Sequence, residues 1–181
     1  MIIDDEPITL SIISRALKGL AKLKVLNHPL KATELLLSEP PELLLLDVNM
    51  PHKTGYQLLK ELRTHETLRE LPVIFLTART NERDEEQGLR LGAVDYVTKP
   101  INPSTLRMRV ETQLSLQLAL KRESSARQRA DELLRVILPP RVADELQETG
   151  RVAPRRHPQA VVMFCDVVGF TQFCSEHSSE E

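Results

Sequence analysis

Three carboxylates, one hydroxyl and one ammonium stand at the ends of short apolar runs. Asp4 and Asp5 follow Met1-Ile2-Ile3, Asp47 follows the run 43–46 (LLLL), Thr77 follows 73–76 (VIFL), and Lys99 closely follows 93–97 (AVDYV). If the runs are neighbouring strands, these groups meet on one rim. Three carboxylates brought together repel one another, so the site calls for a cation, and an all-oxygen donor set favours a hard one such as Mg²⁺. That chemistry suits phosphoryl transfer. One aspartate can act as nucleophile and become an aspartyl phosphate. A lysine supplies a point charge to the phosphoryl oxygens, and a threonine hydroxyl donates a hydrogen bond to them. Taken singly, Asp4 and Asp5 would serve equally well as helix caps, Asp47 as a turn residue, Lys99 as a solvated lysine and Tyr96 as a core aromatic. It is their convergence that carries the reading.

The elements that must position these groups are legible as alternating patterns. Strands are expected at 1–3, 23–26, 43–46, 73–76 and 93–97, and helices at 8–20, 30–38, 54–63 and 81–91. The helices show apolar residues at helical spacing, as in Leu10, Ile13, Leu17 and Leu20. The wholly apolar runs at 43–46 and 73–76 fit strands covered on both faces. Asn102-Pro103 opens a further helix, with Asn102 as cap and Pro103 at its first position. Strands alternating with helices imply right-handed crossovers and a parallel sheet. The predicted fold class is therefore α/β, a five-stranded, doubly wound, flavodoxin-like sheet with a long C-terminal helical extension. In such a sheet the site lies beyond the carboxyl ends of the strands.

Four of these stretches in order, Asp4-Asp5-Glu6-Pro7, LLLLDVNMP at 43–51, Leu76-Thr77-Ala78 and DYVTKP at 95–100, resemble the receiver domain of two-component response regulators. The resemblance covers residues 1 to about 115. It implies that Asp47 accepts the phosphoryl group, that Asp4 and Asp5 hold Mg²⁺ with Asp5 the direct ligand, and that the backbone carbonyl of Asn49 completes the protein ligands. Thr77 and Lys99 would contact the phosphoryl group. Tyr96 would occupy the aromatic switch position, turning inward when Thr77 moves toward the phosphate. The implied phosphoryl donor is a sensor histidine kinase or a phosphotransfer protein. Only three residues precede the acidic pair, against about five to six in an average strand. This predicts that the natural start lies upstream or that the chain is a fragment.

Beyond residue 103 the helical pattern continues to Leu138. Ala126, Ala130, Leu133 and Ile137 step by four, three and four, a heptad seam. Projected back by sevens, Leu116 and Ala119 fit the seam, whereas Thr112 and Glu123 interrupt it. The expected arrangement is a parallel homodimeric coiled coil that carries a signal from the receiver. The alternative is a solvated charged helix with Arg127, Arg129 and Arg135 outside. Pro139-Pro140 ends this helix, a short helix is expected at 141–148, and 154–158 (PRRHP) reads as a connector.

The run 160–165 (AVVMFC) followed by Asp166-Val167-Val168-Gly169-Phe170-Thr171 suits a metal-bound polyphosphate, with the carboxylate on the metal and helix-start amides facing the phosphates. With ILPPRVADEL at 137–146 before it, this stretch resembles the start of class III adenylate/guanylate cyclases, over roughly residues 130–175. The resemblance implies that Asp166 and the carbonyl of Val167 hold the catalytic metals, and that Phe170 and Thr171 contact triphosphate through backbone amides. The family's second metal carboxylate and base-selecting residues would follow Glu181, so this chain is expected not to cyclise a nucleotide. The expected organisation is a receiver at 1–118, a helical or coiled-coil linker at 119–138, a helix and connector leading to the cyclase at 139–158, and a truncated cyclase start at 159–181.

Composition closes off other classes. Among 181 residues, 24 basic and 26 acidic side chains leave a net charge of −2, which argues against a nucleic-acid or anionic-membrane binder. Residues 1–101 carry 13 basic and 15 acidic groups, 102–158 carry 11 and 7, and 159–181 carry none and 4, so a nearly neutral body precedes a basic linker. No apolar run approaches the ~18 residues of a membrane span. Two cysteines exclude a disulfide framework, and the cytoplasm is the expected compartment. The expected function is a phosphorelay response regulator controlling a cyclase output. The alternative is a non-catalytic receiver and dimerisation module that signals to a separate partner.

Overall fold

A computed structural model describes residues 1–78, 88, 90–154, 161 and 163. The predicted helix at 81–91 lies almost entirely outside the described residues. So do Asp166, Val167, Phe170 and Thr171 of the cyclase-like stretch.

The elements are β1 (Ile2–Ile3), α1 (Pro7–Ala16), β2 (Val25–Leu26), α2 (Ala32–Ser38), β3 (Leu44–Asp47), α3 (Gly55–Leu62), β4 (Val73–Thr77), β5 (Asp95–Thr98), α4 (Pro103–Ile137) and α5 (Pro140–Thr149). All strand pairs are parallel and the sheet order is β2-β1-β3-β4-β5. The five-stranded α/β fold predicted from the apolar runs is thus the one observed. The order reverses beside β1 and β3, which brings the ends of those strands, and so Asp4 and Asp47, next to each other.

The period-two geometry of strands divides the core into two layers. Ile3, Leu44, Leu46, Val73 and Phe75 face a cluster completed by Leu36 of α2 and by Leu58, Leu59 and Leu62 of α3. Ile2, Leu45, Ile74, Leu76 and Val97 face the other, completed by Leu10 and Ile13 of α1 and by Leu106 and Val110 of α4. Every residue of β1, β3 and β4 therefore buries its side chain on one side or the other, so uninterrupted apolar runs replace the alternation of a one-faced sheet. Burying a Leu or Ile side chain contributes roughly 1.5–3 kcal/mol, which makes β3 and β4 the anchors of the rim they carry.

Helix starts are locally encoded. Thr54 Oγ1 accepts from the Gln57 amide at 3.2 Å while Gln57 Oε1 accepts from the Thr54 amide at 2.9 Å, a capping box at the start of α3. Asn102 Oδ1 accepts from the amides of Ser104 and Thr105 at 3.0 and 3.1 Å, with Pro103 at the first helical position. The first predicted helix is shorter than its apolar spacing, ending at Ala16. Beyond it the chain turns through Gly19 at φ +78°. Residues 30–38 divide into a 3₁₀ turn (Pro29–Lys31) and α2, because Pro29 fits a helical first turn but donates no amide.

The chain divides into two compact units, Met1–Arg129 and Ala130–Glu181. In the second, α5 folds back along the end of α4. Arg135 pairs with Asp144 at 2.9 Å, Gln147 donates to Asp131 at 3.0 Å, and Ala143 is fully buried. Gly150 ends α5 in the left-handed conformation at φ +69°. Among the described residues, no helix is long and apolar enough to cross a membrane.

Candidate functional site

The rim foreseen from strand ends forms at the carboxyl edge of β1, β3, β4 and β5. Asp4 is carried by β1, whose end is tied to β2 by the Asp4 amide donating to Leu26 O at 3.2 Å. Asp4 is fully buried, and its Oδ1 accepts from the Glu6 amide at 2.8 Å. Asp47 ends β3 with 2% of its surface exposed, and its Oδ1 accepts from the Asn49 amide at 3.3 Å. Thr77 ends β4 and is buried. Its carbonyl accepts from the Lys99 amide at 2.7 Å, which sets Lys99 just beyond β5. The Lys99–Pro100 peptide is cis.

The ammonium of Lys99 joins the cluster. Its Nζ lies 2.9 Å from Asp4 Oδ2 and 3.1 Å from Asp47 Oδ2, with Glu6 Oε2 at 4.0 Å. Burial alone would lower the Lys99 pKa, but its hydrogen bonds to Asp4 and Asp47 outweigh that and hold it above the ordinary lysine value. Burial pushes the Asp47 carboxyl up, Lys99 opposes the shift, and the charge of Asp4 adds to it. The Asp47 carboxyl is therefore electrostatically loaded: removing water disfavours its charge and one ammonium only partly compensates.

Asp4, Asp5 and Asp47 each offer a carboxylate oxygen within 4.8 Å of the others. Three carboxylates against the single Lys99 ammonium leave an excess of two negative charges. Asp4 Oδ2 is buried and faces the Lys99 ammonium at 2.9 Å. An oxygen-only set with two uncompensated negative charges fits Mg²⁺, which takes one or two carboxylates and keeps several waters.

Two contributions escaped the sequence reading. Gly55 opens α3 against the back of the site, and a Cβ there would stand 2.2 Å from the Asp47 carbonyl oxygen, so no other residue allows α3 to approach this closely. Its position eight residues after Asp47, directly behind the capping Thr54, was the available signal. The second is Arg109, whose guanidinium lies over the Tyr96 ring. Nothing in the spacing of α4 marked it. Tyr96 itself is half-buried on β5.

Residues 1–111 match the response regulator receiver domain. The chain belongs to that family. It is 38% identical over 114 residues to a Vibrio cholerae protein named "Probable cyclic di-GMP phosphodiesterase", covering 63% of this chain and 26% of that one. It is 45% identical over 76 residues to the phosphate regulon transcriptional regulatory protein PhoB of Escherichia coli, covering 41% of this chain and 33% of PhoB. Among solved structures, the BeF3-activated receiver domain of DrrB is 32% identical with a TM-score of 0.55, over 63% of this chain and 94% of that domain. The chain thus spans about a quarter to a third of the length of these two curated relatives, and the shared part is the receiver.

Proposed function

We propose that this receiver accepts a phosphoryl group on Asp47 in an Mg²⁺-dependent reaction. The observation that carries the reading is the convergence of Asp4, Asp5, Asp47 and Lys99 on one rim, with Lys99 Nζ 2.9 and 3.1 Å from two of the carboxylates. Asp4, Asp5, Asp47 and the backbone carbonyl of Asn49 would hold the ion, which supplies charge neutralisation for the incoming phosphoryl oxygens. A carboxylate oxygen of Asp47 attacks phosphorus, the P–N bond of a phosphohistidine donor breaks, and the imidazole leaves with the electron pair. Lys99 then exchanges part of its contact with Asp47 for the new phosphoryl oxygens, and Thr77 donates its hydroxyl to them. The donor class is a sensor histidine kinase or phosphotransfer protein, and the compartment this requires is the cytoplasm.

The output half of the reading is a parallel homodimer through α4 that regulates a class III cyclase. Two observations support the dimer. The seam residues Leu116, Ala126, Ala130, Leu133 and Ile137 are exposed in the single chain, Leu133 at 64% and Ile137 at 78%. The fold-back of α5 engages Asp131 and Arg135 and leaves that stripe uncovered. The cyclase rests on the sequence motif around Asp166. The second reading, a receiver and dimerisation module acting on a separate partner, shares everything up to α4, and the exposed stripe favours it equally.

The test is intact-mass analysis after incubation with acetyl phosphate and Mg²⁺. Wild type should gain one hydroxylamine-labile acyl phosphate, which fails to form when EDTA replaces Mg²⁺ and is absent from Asp47→Asn. Equal labelling of Asp47→Asn would overturn the assignment. The purified chain should form no cyclic nucleotide from ATP or GTP.

A further inference from the structure

At the amino-terminal edge of the sheet, opposite the phosphoryl site, α4 leaves a groove. Val110 is buried in the core, and the same face of the helix continues through Leu114, Leu118 and Lys121. These residues wall a cavity of about 1060 Å³, whose other sides come from the turn after α1, with Leu20 and Lys22, and from Pro40 ahead of β3. Its floor is apolar and buried, made by Ile2, Leu17 and Leu45. The volume stands at the upper end of the range for small-molecule sites, which are mostly apolar with a few polar groups that fix orientation.

The rim supplies those polar groups, and their charges are unequal. Lys24 is paired with Glu39, which leaves Lys22 and Lys121 against Glu42 alone. Lys22 and Lys121 are exposed and form no ion pair among the described residues. Lysine stems lie along apolar surface while their ammonium heads stay in water, so two cations stand at the mouth of a leucine-lined slot. Apolar walls under a cationic rim complement a molecule with a long apolar tail and an anionic head. Leu114, Leu118 and Lys121 also lie about half a turn round α4 from Leu116 and Ala119, so pairing of two chains along the proposed seam leaves the groove open.

We propose that this groove binds a single-chain amphiphile with an anionic head, a long-chain carboxylate: the tail lies between α4 and the apolar floor, and the ammonium groups of Lys22 and Lys121 hold the carboxylate. Neither Asp4, Asp5, Asp47, Thr77 nor Lys99 lines the groove. Binding therefore needs neither Mg²⁺ nor a phosphoryl group, and the proposal stands apart from the phospho-acceptor reading.

The experiment is isothermal titration calorimetry of the full 181-residue chain with laurate, kept below its micellar concentration. Wild type should bind one laurate saturably, and about tenfold tighter than decanoate, as two further buried methylenes require. Dodecyltrimethylammonium, which carries the same tail on a cationic head, should bind about tenfold weaker than laurate. Leu118→Asp, which puts a carboxylate into the slot at a position half exposed in the chain, should abolish laurate binding. Lys22→Gln combined with Lys121→Gln changes two exposed side chains only, should weaken laurate about five-fold, and serves if Leu118→Asp does not fold. No laurate bound by wild type, equal affinity for the two heads, or unchanged affinity in the variants overturns the proposal. Sedimentation velocity covers the other occupant: self-association lost in Leu118→Asp, in a chain that takes no laurate, would give the groove to a second copy and overturn the proposal.

Discussion

At the scale of single residues, the site is a balance of charges in which Lys99, among the described residues, is the one ammonium set against the buried carboxylates Asp4 and Asp47. Removing one partner of a buried ion pair leaves the other charge uncompensated, typically at about 3–5 kcal/mol. Lys99 is partly solvated, so Lys99→Met should destabilise the metal-free chain by about 2–4 kcal/mol near neutral pH. The sign with pH follows from the shifts. The Lys99 pKa is raised in the fold, so its contribution is present below the unfolded lysine pKa and lost as pH rises through the folded one. The Asp47 pKa is also raised, so its ionisation costs stability as pH rises through its folded pKa, and acid removes that cost. The deficit of Lys99→Met should therefore shrink toward acid pH. Urea midpoints measured across pH check this; a deficit that grows on acidification would contradict the balance.

Secondary-structure elements matter here by how closely they approach the site. The N-terminus of α3 contacts the Asp47 carbonyl through a glycine with no room for a methyl group. Gly55→Ala forces apart two well-packed elements and should cost about 3 kcal/mol, in the range of overpacking. Because the backbone that moves is that of the acceptor, acyl-phosphate formation should fall with it, even at temperatures where the variant remains folded. Denaturant unfolding and intact-mass labelling on the same sample read both. On α4 the relevant property is an uncovered stripe. Replacing Leu133 and Ile137 together by Glu places like charges at facing positions of the proposed seam, and sedimentation velocity should show a monomer where wild type is expected to be a dimer. The far-UV circular dichroism should hold, because neither side chain is buried in the chain itself. A dimer that survives both substitutions would move the interface off this stripe.

For the whole molecule, the acidic rim implies a trade between stability and function. On the proposed reading, the clustered carboxylates weaken the metal-free fold and a bound divalent cation would relieve them, linking ligand binding to stability. At Mg²⁺ ten-fold above its Kd the native state gains about 1.4 kcal/mol, which raises the Tm by roughly 3–8 °C. Differential scanning calorimetry with and without Mg²⁺ should show this gain in wild type and its loss in Asp5→Asn. An equal gain in both would place the stabilising ion elsewhere.

The order of motifs along the chain determined much by itself. Apolar runs ending in Asp4, Asp47, Thr77 and Lys99 dictate strands buried on both faces, and parallel strands separated by helices bring their carboxyl ends together. Helix starts at Thr54 and Asn102 are local hydrogen-bonding chemistry, visible from two or three residues. The tertiary structure alone decided which side chains share one space: that β1 lies beside β3, that Lys99 reaches both Asp4 and Asp47, that α3 needs Gly55 against a carbonyl, and that Arg109 stands over Tyr96. Periodicity encodes the direction a side chain takes from its own element. Distances between elements depend on packing contributed by many residues at once, and no single stretch of sequence contains them.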